Sequence, residues 1–272
     1  MAQKLSKRLQ AAADFVTPGN RVADVGTDHG HLPIYLIQCG RCPSAVAMDI
    51  RSGPLQQADG HIKAAGLTGS IQTRLSDGMK KLMPGEADSV VIAGMGGLTI
   101  IQILESSPDI VRDVSELILS PQSDAEKVRR LLREQGLFID RENLVLEDGK
   151  FYPVLHVVKD DTGTYQTVLK SKYEKMKQLF LAKLKSSATI INQQETQAAA
   201  RFWRVMDQYG ACLVYEKHPV LIQMLKRDGR QKQKILQALE SSTKREESSR
   251  RRMEVEEQLD DLGILLEIME SV

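Results

Sequence analysis

Aromatic side chains are scarce: Phe, Tyr and Trp make up 4% of the 272 residues, with a single Trp. That argues against a surface built to stack successive unpaired bases on aromatic rings. Cysteine is scarce too. Three is an odd count in a chain too long to need covalent staples, which fits a reducing compartment better than a disulfide framework. Cys39 and Cys42 form a C-x-x-C with no second pair and no His-x-x-His nearby, so the expectation is two reduced thiols at a helix end and no metal site. No apolar run approaches the roughly 18 residues that span a bilayer. The first residues, MAQKLSKRLQ, lack the apolar core of a signal peptide, so the expected location is cytoplasmic, with no membrane partner.

A net charge of either sign is also missing: 37 basic residues stand against 36 acidic ones, so the whole-chain balance points to neither nucleic acid nor membrane. The charge is nonetheless segregated. Residues 1–160 carry a net −2, residues 161–252 a net +10 and residues 253–272 a net −7. With 42% hydrophobic and 27% charged residues, the chain can bury the core of one large domain plus a smaller one.

Over residues 1–160, short β-branched runs alternate with helical patterns, the signature of an α/β domain built on a parallel sheet. The spacing predicts strands at Arg21–Val25, Ala45–Ile50, Ser70–Leu75, Ser89–Ala93 and Glu116–Leu119, with helices at about 31–39, 53–65, 97–105 and 123–135. Two further strands, about 137–146 and 151–158, flank Asp148-Gly149, which reads as a hairpin turn. The expected fold is therefore a seven-stranded, mostly parallel sheet with a terminal antiparallel hairpin. Leu5, Leu9, Ala12 and Val16 add an amphipathic helix at the front, whose exposed face shows Lys4, Lys7 and Arg8.

Asp160-Asp161-Thr162-Gly163 punctuates the chain, and the domain boundary is placed there, giving domains 1–160 and 161–272. The second domain reads as α-helical and coiled-coil-like. Leu169, Tyr173, Met176, Phe180 and Leu184 form a seam suited to helix pairing, and a second helix carries Phe202, Trp203 and Met206. Gly210 and Pro219 interrupt the pattern, and two more helices follow with a reversal at Ser241-Ser242-Thr243. Heptads are not sustained, so an intrachain hairpin is expected in a monomer or weak homodimer.

Chemistry concentrates in Val22–Pro33, a buried strand entering a glycine-containing turn and then a helix. In a dinucleotide-binding turn the middle glycine of G-x-G-x-x-G admits a pyrophosphate; here that position is Asp28, which repels it. Asp24 and Asp28 suit a ligand carrying positive charge, such as S-adenosylmethionine with its sulfonium and ammonium groups. Asp49 ends the second strand, where ribose hydroxyls are bound, and Asp77-Gly78 follows the third strand, where an adenine ring lies. Ala93-Gly94-Met95-Gly96-Gly97 follows the fourth. Singly these read as a helix cap or tight turns; in this order, on successive strands, they read as a methyltransferase site.

The motifs TDHGHLP, IAGMGG and LSPQ, with the N-terminal LSKRL, resemble the bacterial tRNA adenine N1-methyltransferases of the TrmK type, which modify adenine-22. The resemblance implies a Rossmann-like class I methyltransferase domain followed by a helical domain, with tRNA as partner. It further implies cofactor contacts from Asp24, Gly26, Asp28, His29, Asp49 with Ile50 beside it, Asp77, Gly78 and the turn Ala93, Gly94, Met95, Gly96. The chain departs from the family pattern at His31, where Tyr is usual, and at Leu119-Ser120-Pro121-Gln122, where L-Q-P-N is usual.

Adenine N1 has an in-plane lone pair and needs no deprotonation, so the expected catalytic groups act by alignment and charge: Asp28 nearest the base, His29 positioning base or cofactor, and Asp24 anchoring the cofactor. His31 is expected at a helix start, and His61, His156 and His218 as structural or exposed. Lys170, Lys172, Lys175, Lys177, Lys183 and Lys185 are candidates for phosphate contacts. A methyltransferase acting on a protein or small molecule is the nearest alternative, and a noncatalytic RNA-binding adaptor is the alternative of a different class.

Overall fold

A computed structural model describes residues 4–159, 164–186, 195–240 and 245–271. The chain divides into two compact units, Met1–Gln166 and Thr167–Val272. The boundary residues expected from sequence, Asp160 to Gly163, lie outside the described residues.

The first unit holds β1 (Val22–Val25), β2 (Ala45–Asp49), β3 (Ile71–Leu75), β4 (Ser89–Ala93), β5 (Glu116–Ser120), β6 (Phe138–Glu147) and β7 (Lys150–Val158) in one sheet of order β3-β2-β1-β4-β5-β7-β6. The first five strands are parallel to their neighbours, and β7 runs antiparallel to both β5 and β6. β1, β2 and β5 are buried along their whole length, which is why they read as unbroken apolar runs rather than alternating ones. Side chains still alternate between faces: Val90 and Ile92 enter one core cluster with Met48, Ile100 and Leu119, while Val91 enters the other with Ala12, Leu32 and Ile118.

Helices α1 (Lys7–Phe15), α2 (His31–Gln38), α3 (Ser52–Ala64), α4 (Gly97–Ser106), α5 (Pro108–Asp113) and α6 (Ala125–Glu134) connect and cover the strands. α5 is the element that hydrophobic periodicity overlooks, because six residues are too few to show a period. Its local signal is a proline in the first turn followed by an acidic residue, Pro108 and Asp109. The expected hairpin turn is present, with Asp148 at φ +49° and Gly149 at +73°, the left-handed pair that matches strand twist. The order in which strands are added reverses between β1 and β4, so a crevice opens beyond their carboxyl ends.

At the opposite edge, where parallel strands begin, a buried polar cluster joins five segments. Glu116 accepts hydrogen bonds from Thr17 Oγ1 (2.6 Å), Thr17 N (2.9 Å), Ser89 Oγ (2.5 Å) and His156 Nε2 (2.9 Å), while His156 Nδ1 meets Asp140. A register shift between Ile139 and Arg141 in β6 falls at Asp140, as a bulge that re-aims its side chain does. Burial alone raises a carboxylate, but the bonds from His156, Ser89 and Thr17 outweigh it and hold Glu116 at about 2. Burial lowers His156, and Asp140 and Glu116 reverse that, leaving it raised.

The second unit contains α7 (Thr164–Ser186), α8 (Glu195–Tyr209), α9 (Ala211–Tyr215), α10 (Pro219–Glu240) and α11 (Arg245–Glu270). Met176, Phe180 and Leu184 of the expected seam are buried, and Tyr173 packs edge-on against Trp203; the side chain of Leu169 lies outside the described residues. Gly210, at φ +87°, separates α8 from the short α9, and Pro219 opens α10. Lys226 pairs with Glu270 and Lys232 with Gln258, so α10 and α11 run antiparallel. The expected reversal at Ser241-Ser242-Thr243 lies outside the described residues. Arg201, 4% exposed, is neutralised by Asp260 (3.0 Å) and Asp261 (2.6 Å).

Replacing His156 by Gln leaves the buried Glu116 carboxylate without its cation and is expected to destabilise the protein by about 3 kcal/mol. Glu116 contributes above its ordinary 4.5 and loses that contribution as pH falls through about 2. His156 contributes fully below its ordinary 6.5 and progressively less as pH rises through its raised value. The difference between wild type and His156→Gln in urea denaturation is therefore expected to be largest between these two ordinary values and to shrink in alkali.

Candidate functional site

The crevice at the carboxyl edge is made by four turns, each stitched to a neighbour. After β1, Gly26 N and Thr27 N both donate to Met48 O (2.7 and 2.9 Å). After β3, Ser76 N donates to Asp49 O (2.9 Å). The turns after β4 and β5 are zipped together through Gly94 N to Ser120 O (3.3 Å), Gln122 N to Met95 O (2.8 Å) and Gly97 N to Ser123 O (2.9 Å). Gly26 has φ +77°, and a Cβ there would lie 1.9 Å from Met95 Cε, so the glycine is required both by backbone conformation and by close approach.

Two adjoining cavities occupy the crevice and share Gly26, Asp49 and Arg51. One, of about 280 Å³, is lined by Gly26, Thr27, Asp28, His29, Asp49, Ala93 and Gly94, and also by Ser6, Arg8, Ser120 and Gln122. The other, of about 450 Å³, is lined by Asp49, Ile50, Asp77, Gly78 and Met95, with Lys80, Gln102 and Ile103. Ten of the twelve site residues expected from sequence are thus brought together. Asp24 and Gly96 line neither cavity. Asp24 is 4% exposed at the end of β1, and Gly96 precedes α4, with Ser123 Oγ only 3.2 Å from where its Cβ would be. Gly97 is more tightly held still, against the Ser123 and Asp124 carbonyl oxygens, so these two glycines serve the packing of one turn on another.

The electrostatics favour a cation. Burial pushes the Asp24 carboxyl up to about 7, Thr27 opposing and the nearby charges of Asp28 and Asp49 adding to the rise. Asp49 is 7% exposed; its Oδ1 accepts from Arg51 N (2.7 Å), while Oδ2 has no partner among the described residues and is available to a diol in the cavity. Asp77 instead meets Lys80. The hydroxyl of Thr27, 2% exposed, is buried at the cavity wall. His29 adopts φ +54°, and its Nε2 lies 3.4 Å from Asp28 Oδ1. His31 opens α2 and stacks on His61, whose Nδ1 lies 2.9 Å from the His29 carbonyl oxygen.

Arg8, which the sequence shows only as part of the exposed face of the first helix, also lines the smaller cavity; its guanidinium lies over Tyr152, with Nε 3.9 Å from Glu147 Oε2. Arg51 and Lys80 are also cavity cations without a motif to announce them. The residues fit the sulfonium cofactor expected from sequence: a free carboxylate oxygen for a ribose, an apolar edge at Ile50 and Ile103 for a ring, acids for the ammonium and Arg8 for a carboxylate. Among the described residues no group of three or more His, Cys, Asp or Glu side chains is placed to hold a metal ion, and no helix is long and apolar enough to cross a membrane. All three cysteines are free, and burial pushes Cys42 up to about 12.

In the helical unit, Lys170, Lys175 and Lys185 are exposed and have no partner among the described residues. Lys183 pairs with Glu267 (2.9 Å), Lys177 with Glu174 (3.4 Å), and Lys172 lies over the Tyr215 ring. The acidic segment is largely consumed internally: Glu254, Glu256, Glu257, Asp260, Asp261, Glu267 and Glu270 all pair with basic side chains of the same unit.

Residues 5–155 match the family model described as a methyltransferase domain, and the chain belongs to that family. Within it, the chain is 39% identical over 152 residues to the tRNA (adenine(22)-N(1))-methyltransferase of Bacillus subtilis, a match covering 56% of this chain and 64% of that enzyme, under two thirds of its length. The crystal structure of the B. subtilis M1A22 tRNA methyltransferase TrmK superposes with a TM-score of 0.74 at 27% identity, covering 98% of this chain and all of that one. A putative tRNA (m1A22) methyltransferase of Streptococcus pneumoniae, in complex with S-adenosyl-L-methionine, superposes with a TM-score of 0.71 at 26% identity, covering 97% of this chain and all of that one.

Because Asp24 titrates near 7 rather than at its ordinary 3.8, the native state holds a proton that the unfolded state releases across that window. Stability should therefore fall as pH rises from 4 to 7. Asp24→Asn is expected to flatten that slope, so that the variant gains on wild type across the window and the gap stays constant above it, as chemical denaturation at stepped pH would show.

Proposed function

We propose that the protein is an S-adenosylmethionine-dependent tRNA methyltransferase that modifies N1 of an adenine, adenine-22. The observation that carries the reading is the crevice itself: a glycine turn of positive φ, a free Asp49 oxygen and a rim of acids sit where the strand order reverses. The named activity of the B. subtilis relative and the cofactor in the S. pneumoniae structure support the substrate and donor.

Bound S-adenosylmethionine supplies an electrophilic methyl group on a sulfonium. Asp49 Oδ2 accepts from the ribose hydroxyls, Asp77 and Gly78 flank the ring, and Arg8 meets the amino-acid carboxylate. Asp28 stands in the same cavity as Ser120 and Gln122. As positive charge passes to the adenine ring, a carboxylate nearer the base than the sulfur stabilises the transition state more than the ground state. His29 braces Asp28. No general base is required, because N1 attacks through an existing lone pair; what the protein supplies is alignment and a dry cavity for a base turned out of its stack. Lys170, Lys175 and Lys185 contact phosphates.

Purified protein incubated with labelled S-adenosylmethionine and unmodified tRNA should yield 1-methyladenosine at a single position on nucleoside mapping. Label on protein or on small molecules alone, or tRNA binding without transfer, would replace this reading with one of its alternatives. Asp28→Asn is expected to lower the rate at saturating cofactor by about tenfold, equivalent to roughly 1.4 kcal/mol of barrier, with a smaller change in cofactor affinity. Changing Lys170, Lys175 and Lys185 together to Ala should reduce the log–log salt slope of tRNA binding by about 2 to 3 while leaving cofactor binding unchanged.

A further inference from the structure

Ser120, the last residue of β5, and Gln122, in the turn that follows, both line the smaller cavity. Ser120 is 4% exposed, and its hydroxyl has no partner among the described residues, so the cavity wall offers a buried polar group to whatever enters. Gln122 stands at the mouth. Its backbone N–H is fixed by the Met95 carbonyl (2.8 Å), and its side-chain amide extends over Gly94, where a Cβ would lie 3.7 Å from Nε2. Gly94 has φ +88°, which keeps that position free of a side chain and leaves the amide room to pair with a ligand. The amide makes no hydrogen bond with any described residue.

A primary amide presents a donor and an acceptor side by side, and adenine presents the complementary pair at its N6 amine and N7. That edge leaves N1 free on the far side of the amine. We infer that Gln122 selects adenine, its side-chain amide pairing with N6 and N7 of the entering base while N1 is turned toward Gly26 and Asp28. The inference rests on the proposed transfer to adenine N1. Guanine offers acceptors at both O6 and N7, so one of the two bonds is lost and the amide oxygen faces O6. Where the resembling family reads L-Q-P-N, this chain has a short hydroxyl side chain at position 120 and an amide one methylene longer than Asn at position 122.

The test uses full-length enzyme and two transcripts of one tRNA, with adenine or 7-deazaadenine at the mapped acceptor position. Replacing N7 by carbon removes one of the two bonds, and any change it makes to N1 reactivity is common to wild type and variant. The ratio of kcat/KM on the two transcripts is expected to be about tenfold larger for wild type than for Gln122→Ala. Cofactor affinity, measured calorimetrically, should be equal in the two proteins. If Gln122→Ala is as sensitive to N7 removal as wild type, Gln122 does not read that edge and the inference is overturned. If neither protein methylates the adenine transcript, the methyl-transfer reading itself fails and this inference falls with it.

Discussion

A carboxylate buried at the end of a strand is costly unless a cation meets it, and two such groups stand side by side where β1 and β2 finish. Asp24 is 4% exposed and the charges acting on it are the further acids Asp28 and Asp49. Asp49 has one oxygen tied to Arg51 and the other open to the cavity. Sheet topology forces this arrangement, since the reversal between β1 and β4 leaves the ends of these strands uncovered. Arg8, Arg51 and Lys80 also line the cavities, so the acids at these strand ends are the part of the crevice suited to a positively charged group.

The two edges of the same sheet treat buried acids in opposite ways. At the starting edge Glu116 is met by Thr17, Ser89 and His156, and its carboxyl is held at about 2. At the finishing edge Asp24 is pushed up to about 7. A fully satisfied network fixes segments in place, while an under-satisfied one stores the capacity to bind. The contrast separates the cluster that holds β5, β6 and β7 together from the acids around the crevice, although both are buried and ionisable.

Most of the first unit was legible because its signals are local. β-branched runs gave the strands, Asp148-Gly149 gave the hairpin, acids or glycines at strand ends gave six of the cavity residues, and the family resemblance gave His29, Ile50, Ala93 and Met95. What stayed hidden depends on the third dimension. Helical periodicity shows which face of α1 is polar but not that a crevice lies beyond Arg8. The bulge at Asp140 leaves no trace in an apolar pattern, and α5 is shorter than any period that would reveal it. The Ala93–Gly97 motif marks one place in the chain but serves two purposes, Gly94 and Met95 facing cavities while Gly96 and Gly97 admit the neighbouring turn. The net +10 of residues 161–252 likewise overstated the free positive surface, because the acidic residues that follow are folded back onto it.

That neutralisation bears on how recognition is divided under the proposed function. Phosphate contacts fix register and orientation but carry no information about which base is present. Among the described residues, Lys170, Lys175 and Lys185 on α7 are exposed cations without a partner, and contacts of that kind hold a backbone without distinguishing adenine from guanine. Neutral groups with paired donors and acceptors at the mouth of the cavity can make that distinction. Gln122 and Ser120 are such groups, held there by three backbone hydrogen bonds that tie the end of β5 and its turn to the glycine turn after β4.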